Sequence, residues 1–304
     1  MILVYSLLAV LAILVAICLV IYYIAFYSPH KNQNDPYNFP KDEDYEPLRL
    51  RAEELIGAIE KEPYEDVYIK VKGIKLHARY YHKVDNGVLD IGVHGYRGTA
   101  YRDFCGGSKT SFSLGHNFLL IDQRGQGQSK GHTITFGVKE KHDLVAWINY
   151  AINRFGKELK INLYGVSMGA TTVLMASGLN LPKNVVSILA DSPYDLPKDV
   201  ICSTISKMGL PVKLAYPFVY LSALIFGGFN LNCESCTESV KKSQIPTVIM
   251  HGEIDKIVPC NMSEKIANAN PIIKRYTFEN AGHVMSYLIH YDRYAEIAEK
   301  LLDT

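Results

Sequence analysis

From residue 88 onward the chain repeats one pattern, in which a short apolar segment is followed by a stretch with helical periodicity. The apolar segments have the length and composition of buried strands and cover residues 88–93, 118–121, 161–164, 185–190, 247–250 and 272–278. Between the second and third segments, Leu144, Ile148, Ala151 and Phe155 recur at helical spacing. Strands that alternate with helices pair in parallel and are covered on both faces. The sequence therefore predicts an α/β fold with a mostly parallel central sheet.

The region before residue 88 has a different pattern. Residues 67–71 and 76–80 each alternate apolar and polar side chains, and Lys72-Gly73 lies between them. This arrangement predicts an antiparallel hairpin at the start of the sheet. Residues 45–62 have the spacing of a short amphipathic helix.

Residues 1–27 contain no charged side chain. As a helix this segment rises roughly 40 Å, enough to cross a hydrocarbon layer of about 30 Å. A cleaved signal peptide is the alternative, but the segment lacks a basic start and its apolar run is longer than such peptides have. We expect a single-pass transmembrane anchor at 1–27, a tether at 28–44 rich in proline and asparagine, and one domain at 45–304.

Charge and cysteine usage limit the partners and the location. A formal net charge of +1 argues against a nucleic-acid partner, which requires a basic surface. Six scattered cysteines fit a reducing compartment, and His30, Lys31 and Lys41 after the apolar segment favour a cytoplasmic domain. Cys233 and Cys236 form a single Cys-x-x-Cys pair, whereas a structural zinc site needs four ligands. We expect no metal and no organic cofactor.

About fifty residues separate the segment at 185–190 from that at 247–250, which is too long for an ordinary loop. The region is apolar and aromatic, and a second membrane span is one interpretation. Lys213, two prolines and the Gly227-Gly228 pair argue against that span. We expect a helical cap at about 193–243 over an active site. Its candidate substrate-binding side chains are Tyr216, Phe218, Tyr220 and Phe226, and a role in the core alone is the alternative.

A nucleophile motif, Gly-x-Ser-x-Gly, surrounds Ser167. It follows the apolar segment at 161–164 and precedes a stretch compatible with a helix, which is the strand, turn and helix context that this motif requires. Gly165 and Gly169 are expected because a serine held at a tight turn leaves no room for nearby side chains. The start of the following helix favours developing negative charge. We expect Ser167 to be the nucleophile.

A serine hydroxyl is a weak nucleophile and needs a base, which in turn needs a carboxylate to orient it. His283 follows the last predicted strand and is the candidate base. Asp255 follows the strand at 247–250 and is the candidate acid, so the chain order is Ser, Asp, His. Glu253 and Asp191 are the alternative acids.

The tetrahedral oxyanion formed by such a serine needs two preorganised donors. The backbone amide of Met168, next to the nucleophile, is expected to be one. The second is expected from Tyr96, in the loop that follows the strand at 88–93. Gly95 and Gly98 allow this loop to approach a substrate closely.

These segments together resemble the α/β-hydrolase superfamily, and more narrowly the membrane-anchored bud-emergence-protein-like hydrolases and the lysophospholipase-like and serine-aminopeptidase-like hydrolases. The resemblance covers residues 64–302. It depends on residues 94–98 (HGYRG), 122–129 (DQRGQGQS), the motif around Ser167, Asp255 with Val258-Pro259, and Gly282-His283. It implies that the cap follows the sixth strand and that residues 122–129 pack beneath the site. That glycine-rich loop lacks the Gly-Lys-Ser/Thr end of a nucleotide-binding loop.

The combined pattern predicts a serine hydrolase that cleaves a carboxylic ester through an acyl-serine intermediate. The aromatic cap and the anchor favour a lipid ester, such as a lysophospholipid or a monoacylglycerol. A serine peptidase, with Glu234 and Glu238 receiving a basic peptide end, is one alternative. A catalytically silent membrane scaffold with the same fold is the other.

Overall fold

The computed structural model describes residues 1–29, 35–39, 45–233 and 235–303. Much of the predicted tether, with His30, Lys31 and Lys41, lies outside these residues, as does Glu234. The strands are β1 Glu65–Val71, β2 Ile74–Tyr81, β3 Leu89–Val93, β4 Asn117–Asp122, β5 Ile161–Val166, β6 Val185–Asp191, β7 Thr247–Gly252 and β8 Ile273–Phe278. The helices are α1 Ile2–Ala25, α2 Arg49–Glu60, α3 Ala100–Ser113, α4 Glu140–Phe155, α5 Met168–Ala176, α6 Pro197–Lys207, α7 Val212–Ser222, α8 Cys236–Val240, α9 Asn261–Ala267, α10 Ser286–Ile289 and α11 Tyr291–Leu302.

In the described part of the chain, eight strands form one sheet in the order β1-β2-β4-β3-β5-β6-β7-β8. The predicted hairpin is confirmed, since β1 and β2 are antiparallel, and β2 is also antiparallel to β4. All pairs from β4 and β3 through β8 are parallel. The carboxyl ends of β3, β5, β6, β7 and β8 therefore lie along the same edge, and the predicted fold class is confirmed.

Both faces of the sheet are buried, as the continuous apolar strands require. On one face the core contains α4 and α5, with Leu144, Trp147 and Ile148 inaccessible to solvent. On the other face the core contains α2, α3 and α11. The helical periodicity around residue 148 thus corresponds to α4, and Gly156 ends that helix with a φ of 109°.

The segment between β6 and β7 contains α6, α7 and α8, and a π-helical turn at Ala223–Gly227 extends α7. Together with Phe136, Met168 and Tyr194 its apolar side chains form a third core, which lies over the carboxyl edge of the sheet. We refer to α6, α7 and the π-helical turn as the cap.

Helix α1 is long and apolar enough to cross a membrane, although an N-terminal signal sequence can also satisfy these criteria of length and composition. Its last turns pack on the domain. Phe26 is fully buried between the rings of Phe136 and Phe229, at centroid distances of 5.8 and 5.3 Å. Cys18, earlier in the helix, is buried against α7.

The loop after β4 is attached to α4 by a buried ion pair. Nε and one terminal nitrogen of Arg124 donate to the two carboxylate oxygens of Asp143, at 2.6 and 2.7 Å. Both side chains are nearly inaccessible to solvent. A two-point pair of this kind fixes the position of the loop as well as its charge.

We predict that Asp143→Ala lowers the free energy of unfolding by about 3 kcal/mol, because it leaves the buried Arg124 guanidinium without its counter-charge. The matched control is Glu65→Ala, which removes the two-point partner of Arg154 at an exposed position. That change should cost less than about 1 kcal/mol. Thermal or urea unfolding of the full chain in detergent measures both, and equal losses would contradict the prediction.

Candidate active site

Ser167 lies at the turn between β5 and α5, with a φ of 54° and a ψ of −114°. A positive φ is uncommon for a residue with a side chain and indicates a strained turn. The two flanking glycines are required by close approach. A Cβ on Gly165 would lie 2.4 Å from the carbonyl oxygen of Gly169, and a Cβ on Gly169 would lie 1.7 Å from that of Val93. The turn is thus pressed against β3, and its strain presents the hydroxyl to the cavity above.

The structure brings Ser167, His283 and Asp255 together. Nε2 of His283 is 2.8 Å from Oγ of Ser167, and Nδ1 of His283 is 2.7 Å from Oδ2 of Asp255. The three side chains follow β5, β7 and β8, which are parallel and end at the same edge. This geometry allows the imidazole to take a proton from the hydroxyl while the carboxylate holds its other nitrogen.

Asp255 is buried and surrounded by donors. Its Oδ1 accepts hydrogen bonds from the amides of Ile257 and Val258, both at 2.8 Å. Its Oδ2 lies 3.1 Å from Nε2 of His251, in addition to the contact with His283. Burial alone would raise the pKa of Asp255, but the charge of His283 and the hydrogen bonds from the two histidines hold that pKa well below its usual range.

The alternative acids have other contacts. Asp191 is fully buried and accepts hydrogen bonds from the hydroxyls of Ser192 and Tyr294, at 2.8 and 2.9 Å. Burial raises the pKa of Asp191. Glu253 is exposed and accepts a hydrogen bond from the hydroxyl of Thr277. Asp255 is therefore the candidate whose carboxylate contacts His283 directly.

The loop after β3 lies against the nucleophile. A Cβ on Gly95 would lie 3.3 Å from Cβ of Ser167, so the backbone of this loop packs closely against the nucleophile turn. Within the described residues, the amides of Tyr96 and Met168 have no hydrogen-bond acceptor. These two amides therefore have no competing acceptor there, and their role as oxyanion donors stays a prediction.

Side chains that sequence reasoning missed hold this loop in place. The amide of Gly95 donates to Asp103 Oδ2 at 2.8 Å, and the amide of Arg97 donates to Gln126 Oε1 at 2.6 Å. Nε2 of His94 accepts from the amide of Gln123 at 3.1 Å. Gln123 and Gln126 belong to the glycine-rich segment 122–129, so this segment does pack against the site. The two glutamines in this segment are the sequence feature that could have indicated these contacts.

A cavity of about 780 Å³ extends from Ser167 and His283 under the cap. Most of its lining is apolar. The cap contributes Val200, Ile201, Ile205, Ala215 and Val219, and α1 contributes Ile17, Ile21, Ile24 and Ala25. Neither set was expected to bind substrate, because sequence alone does not show which face of a helix meets a cavity.

Of the four predicted cap aromatics, Phe218 lines the cavity and the other three do not. The prediction for these three is corrected. Tyr216 and Tyr220 stack on each other at 6.1 Å, and the hydroxyl of Tyr216 donates to Asn232. Phe226 packs near Tyr22 of α1, at 6.0 Å between ring centroids. Their rings lie away from the cavity because they occupy other faces of the cap.

Other groups singled out in the sequence have separate environments. All six cysteines are free thiols, and burial raises the pKa of Cys236 well above its usual range. Among the described residues, no three His, Cys, Asp or Glu side chains are grouped so as to hold a metal ion. Glu238 forms a surface ion pair with Lys241, at 2.6 Å.

Comparison with known proteins agrees with this architecture. A family model described as alpha/beta hydrolase fold matches residues 91–204. YqkD, an uncharacterized protein of Bacillus subtilis (strain 168), is 27% identical over 192 residues, which are 62% of this chain and 63% of that protein. The match therefore spans less than two thirds of the relative's length.

The solved structures that are similar at the level of the fold include the following two. The esterase Pf2001 of Pyrococcus furiosus has a TM-score of 0.65 and 21% identity, over 83% of this chain and 94% of that chain. Est1E from Butyrivibrio proteoclasticus, with ferulic acid bound, has a TM-score of 0.59 and 21% identity, over 77% and 96% of the two chains.

We predict that Asp255 makes the protein less stable in acid. The pKa of Asp255 is lowered in the folded protein. Below about pH 4, where a free aspartate titrates, the unfolded chain therefore binds more protons than the folded protein does. The stability that the ionised Asp255 contributes is fully present above that pH and is lost as the pH falls through the pKa of the folded state. The melting temperature of Asp255→Asn should therefore fall less steeply between pH 5 and pH 3. Glu253→Gln, at an exposed carboxylate, should keep the wild-type slope, and an equal slope in Asp255→Asn would contradict this prediction.

Proposed function

We propose that this chain, which has an α/β-hydrolase fold, is a serine hydrolase that cleaves a carboxylic ester. The observation that carries the proposal is the continuous line of hydrogen-bond contacts from Ser167 through His283 to Asp255, at 2.8 and 2.7 Å. Ser167 and His283 line an apolar cavity. Among the described residues, the backbone amides of Tyr96 and Met168 have no hydrogen-bond acceptor.

In the acylation step, Oγ of Ser167 bonds to the ester carbonyl carbon while Nε2 of His283 takes its proton. The carbonyl electron pair moves to oxygen, where the amides of Tyr96 and Met168 stabilise the negative charge. The ester C–O bond then breaks, and His283 donates the proton to the departing alcohol oxygen. Asp255 stabilises the transient imidazolium and keeps the ring oriented.

In the deacylation step, water takes the position of the alcohol. His283 accepts one of its protons as the water oxygen bonds to the acyl carbon, and the same two amides again receive the oxyanion. Collapse breaks the bond to Oγ of Ser167, which takes the proton back from His283. One ester and one water give one acid and one alcohol, and every proton transfer uses the same imidazole.

The apolar cavity supports an acyl chain as the bound part of the substrate. Lysophospholipids and monoacylglycerols are the lipid esters that we propose. The solved structures of similar fold include the Pf2001 esterase. We further propose that α1 anchors the protein in a membrane, where such esters reside, and that residues 45–304 form the catalytic domain.

We predict that a fluorophosphonate probe labels the full-length protein in detergent and that Ser167→Ala abolishes labelling, because Ser167 carries the hydroxyl that contacts His283. Met168→Ala keeps the backbone amide and is the control for the turn, so it should still be labelled. If folded wild-type protein is not labelled, the hydrolase proposal is wrong and a silent scaffold is favoured.

We predict that Asp255→Asn lowers kcat for a short-chain ester by about 10⁴-fold, since the amide would hold the imidazole in the wrong tautomer. The matched control is Asp191→Asn, which changes the carboxylate at the end of the neighbouring strand and should lower kcat by less than about tenfold. Steady-state kinetics measure both. The reverse ranking would identify Asp191 as the catalytic acid.

A further inference from the structure

We propose that α1 is a wall of the acyl-binding cavity as well as an anchor, and that the acyl chain of a lipid ester enters beside α1 directly from the bilayer. This inference rests on the proposed ester hydrolase. It assigns Ile17, Ile21 and Ile24 as residues that determine acyl-chain specificity.

The two contact faces of α1 support this assignment. Ile17, Ile21 and Ile24 recur at helical spacing and line the same cavity as Ser167 and His283. Adjacent positions attach the helix to the cap, because the backbone carbonyl of Cys18 accepts a hydrogen bond from the hydroxyl of Ser222 at 2.8 Å. Helix α1 is therefore fixed against the cap while one of its faces closes the cavity.

The end of α1 is also held by the loop after β3. The hydroxyl of Tyr96 donates to the carbonyl of Ala25 at 2.8 Å, and the guanidinium of Arg97 donates to the carbonyls of Ile24 and Tyr27. These bonds use carbonyls at the helix end, which lack partners within the helix. The position of the wall is thus tied to the loop that faces the nucleophile.

The position of Cys18 along α1 places its contact with the cap at the depth of the lipid. A helix of 24 residues rises about 36 Å, whereas the hydrocarbon layer is about 30 Å thick. About four residues of α1 can therefore lie outside the layer. Cys18 lies seven positions before Ala25, so its contact with Ser222 lies inside the hydrocarbon edge when α1 spans the layer.

The rim of the cavity has the composition that this depth requires. Six of the lining residues are exposed and apolar: Ile17, Ile24, Met208, Leu210, Ile254 and Ile257. Met208 and Ile24 are 66% and 65% exposed. A contiguous apolar rim is unfavourable in water and marks a site that faces lipid or a ligand.

The experiment compares butyrate and dodecanoate p-nitrophenyl esters, using the full-length protein in one detergent. Ile21→Trp fills the cavity beside α1, while Val20→Trp adds the same ring at an exposed neighbouring position that does not line it. We expect Ile21→Trp to lower the ratio of kcat/KM for dodecanoate over butyrate by about tenfold, because at least two methylenes lose their site. Val20→Trp should leave the ratio within about twofold of wild type.

Ile21→Ala, which enlarges the cavity, should raise the ratio of kcat/KM for dodecanoate over butyrate. Labelling by a fluorophosphonate with a short alkyl chain shows that each variant has an assembled site. If the labelled variants at positions 20 and 21 share one chain-length profile, α1 is an anchor only and the inference is wrong. If wild-type protein reacts with neither probe nor ester, the proposed function itself fails, and this inference fails with it.

Discussion

Parallel pairing of the central strands is the constraint on which the rest of the structure depends. In the register, Gly165 lies beside Val93, Val166 beside Asp191, and Gly252 beside Phe278. The parallel strands from β3 to β8 therefore end at one edge, and the loops that follow them lie there. Ser167, Asp255 and His283 are far apart in sequence, yet the sheet brings them within hydrogen-bonding distance. The strained turn at Ser167 is supported by the same pairing, because β3 lies directly beneath it.

Much of this arrangement could be predicted from the sequence, because it depends on local rules. The strands are continuous apolar runs, and a parallel sheet fixes where their ends meet. The glycines on either side of Ser167 are a steric requirement of the turn, and the distances of 2.4 and 1.7 Å for added Cβ atoms show its strength. The choice of Asp255 over Asp191 followed from the position and order of the strands alone. His251, which contacts the same carboxylate, had no local signal.

The cap and α1 were less predictable, because their side chains face neighbours that are distant in sequence. Four cap aromatics were expected at the substrate, and one of them, Phe218, lines the cavity. Composition identified the region as apolar, but the orientation of each helix is set by packing against α1 and Phe136. An apolar segment of membrane length gives no indication that its last turns also pack against a catalytic domain. Cys18 and Phe26 make tertiary contacts, and such contacts produce no periodic pattern in the sequence.

Tyr96 connects the loop after β3 to α1, and this connection has a mechanical consequence. Its backbone amide is the proposed oxyanion donor, and its hydroxyl donates a hydrogen bond to the carbonyl of Ala25 at the end of α1. A spanning helix tilts when the hydrocarbon thickness around it differs from its own length. With α1 in the bilayer, such a tilt would pull on the backbone that carries an oxyanion donor. Membrane thickness would then enter the catalytic geometry directly, with no soluble effector and no second binding site.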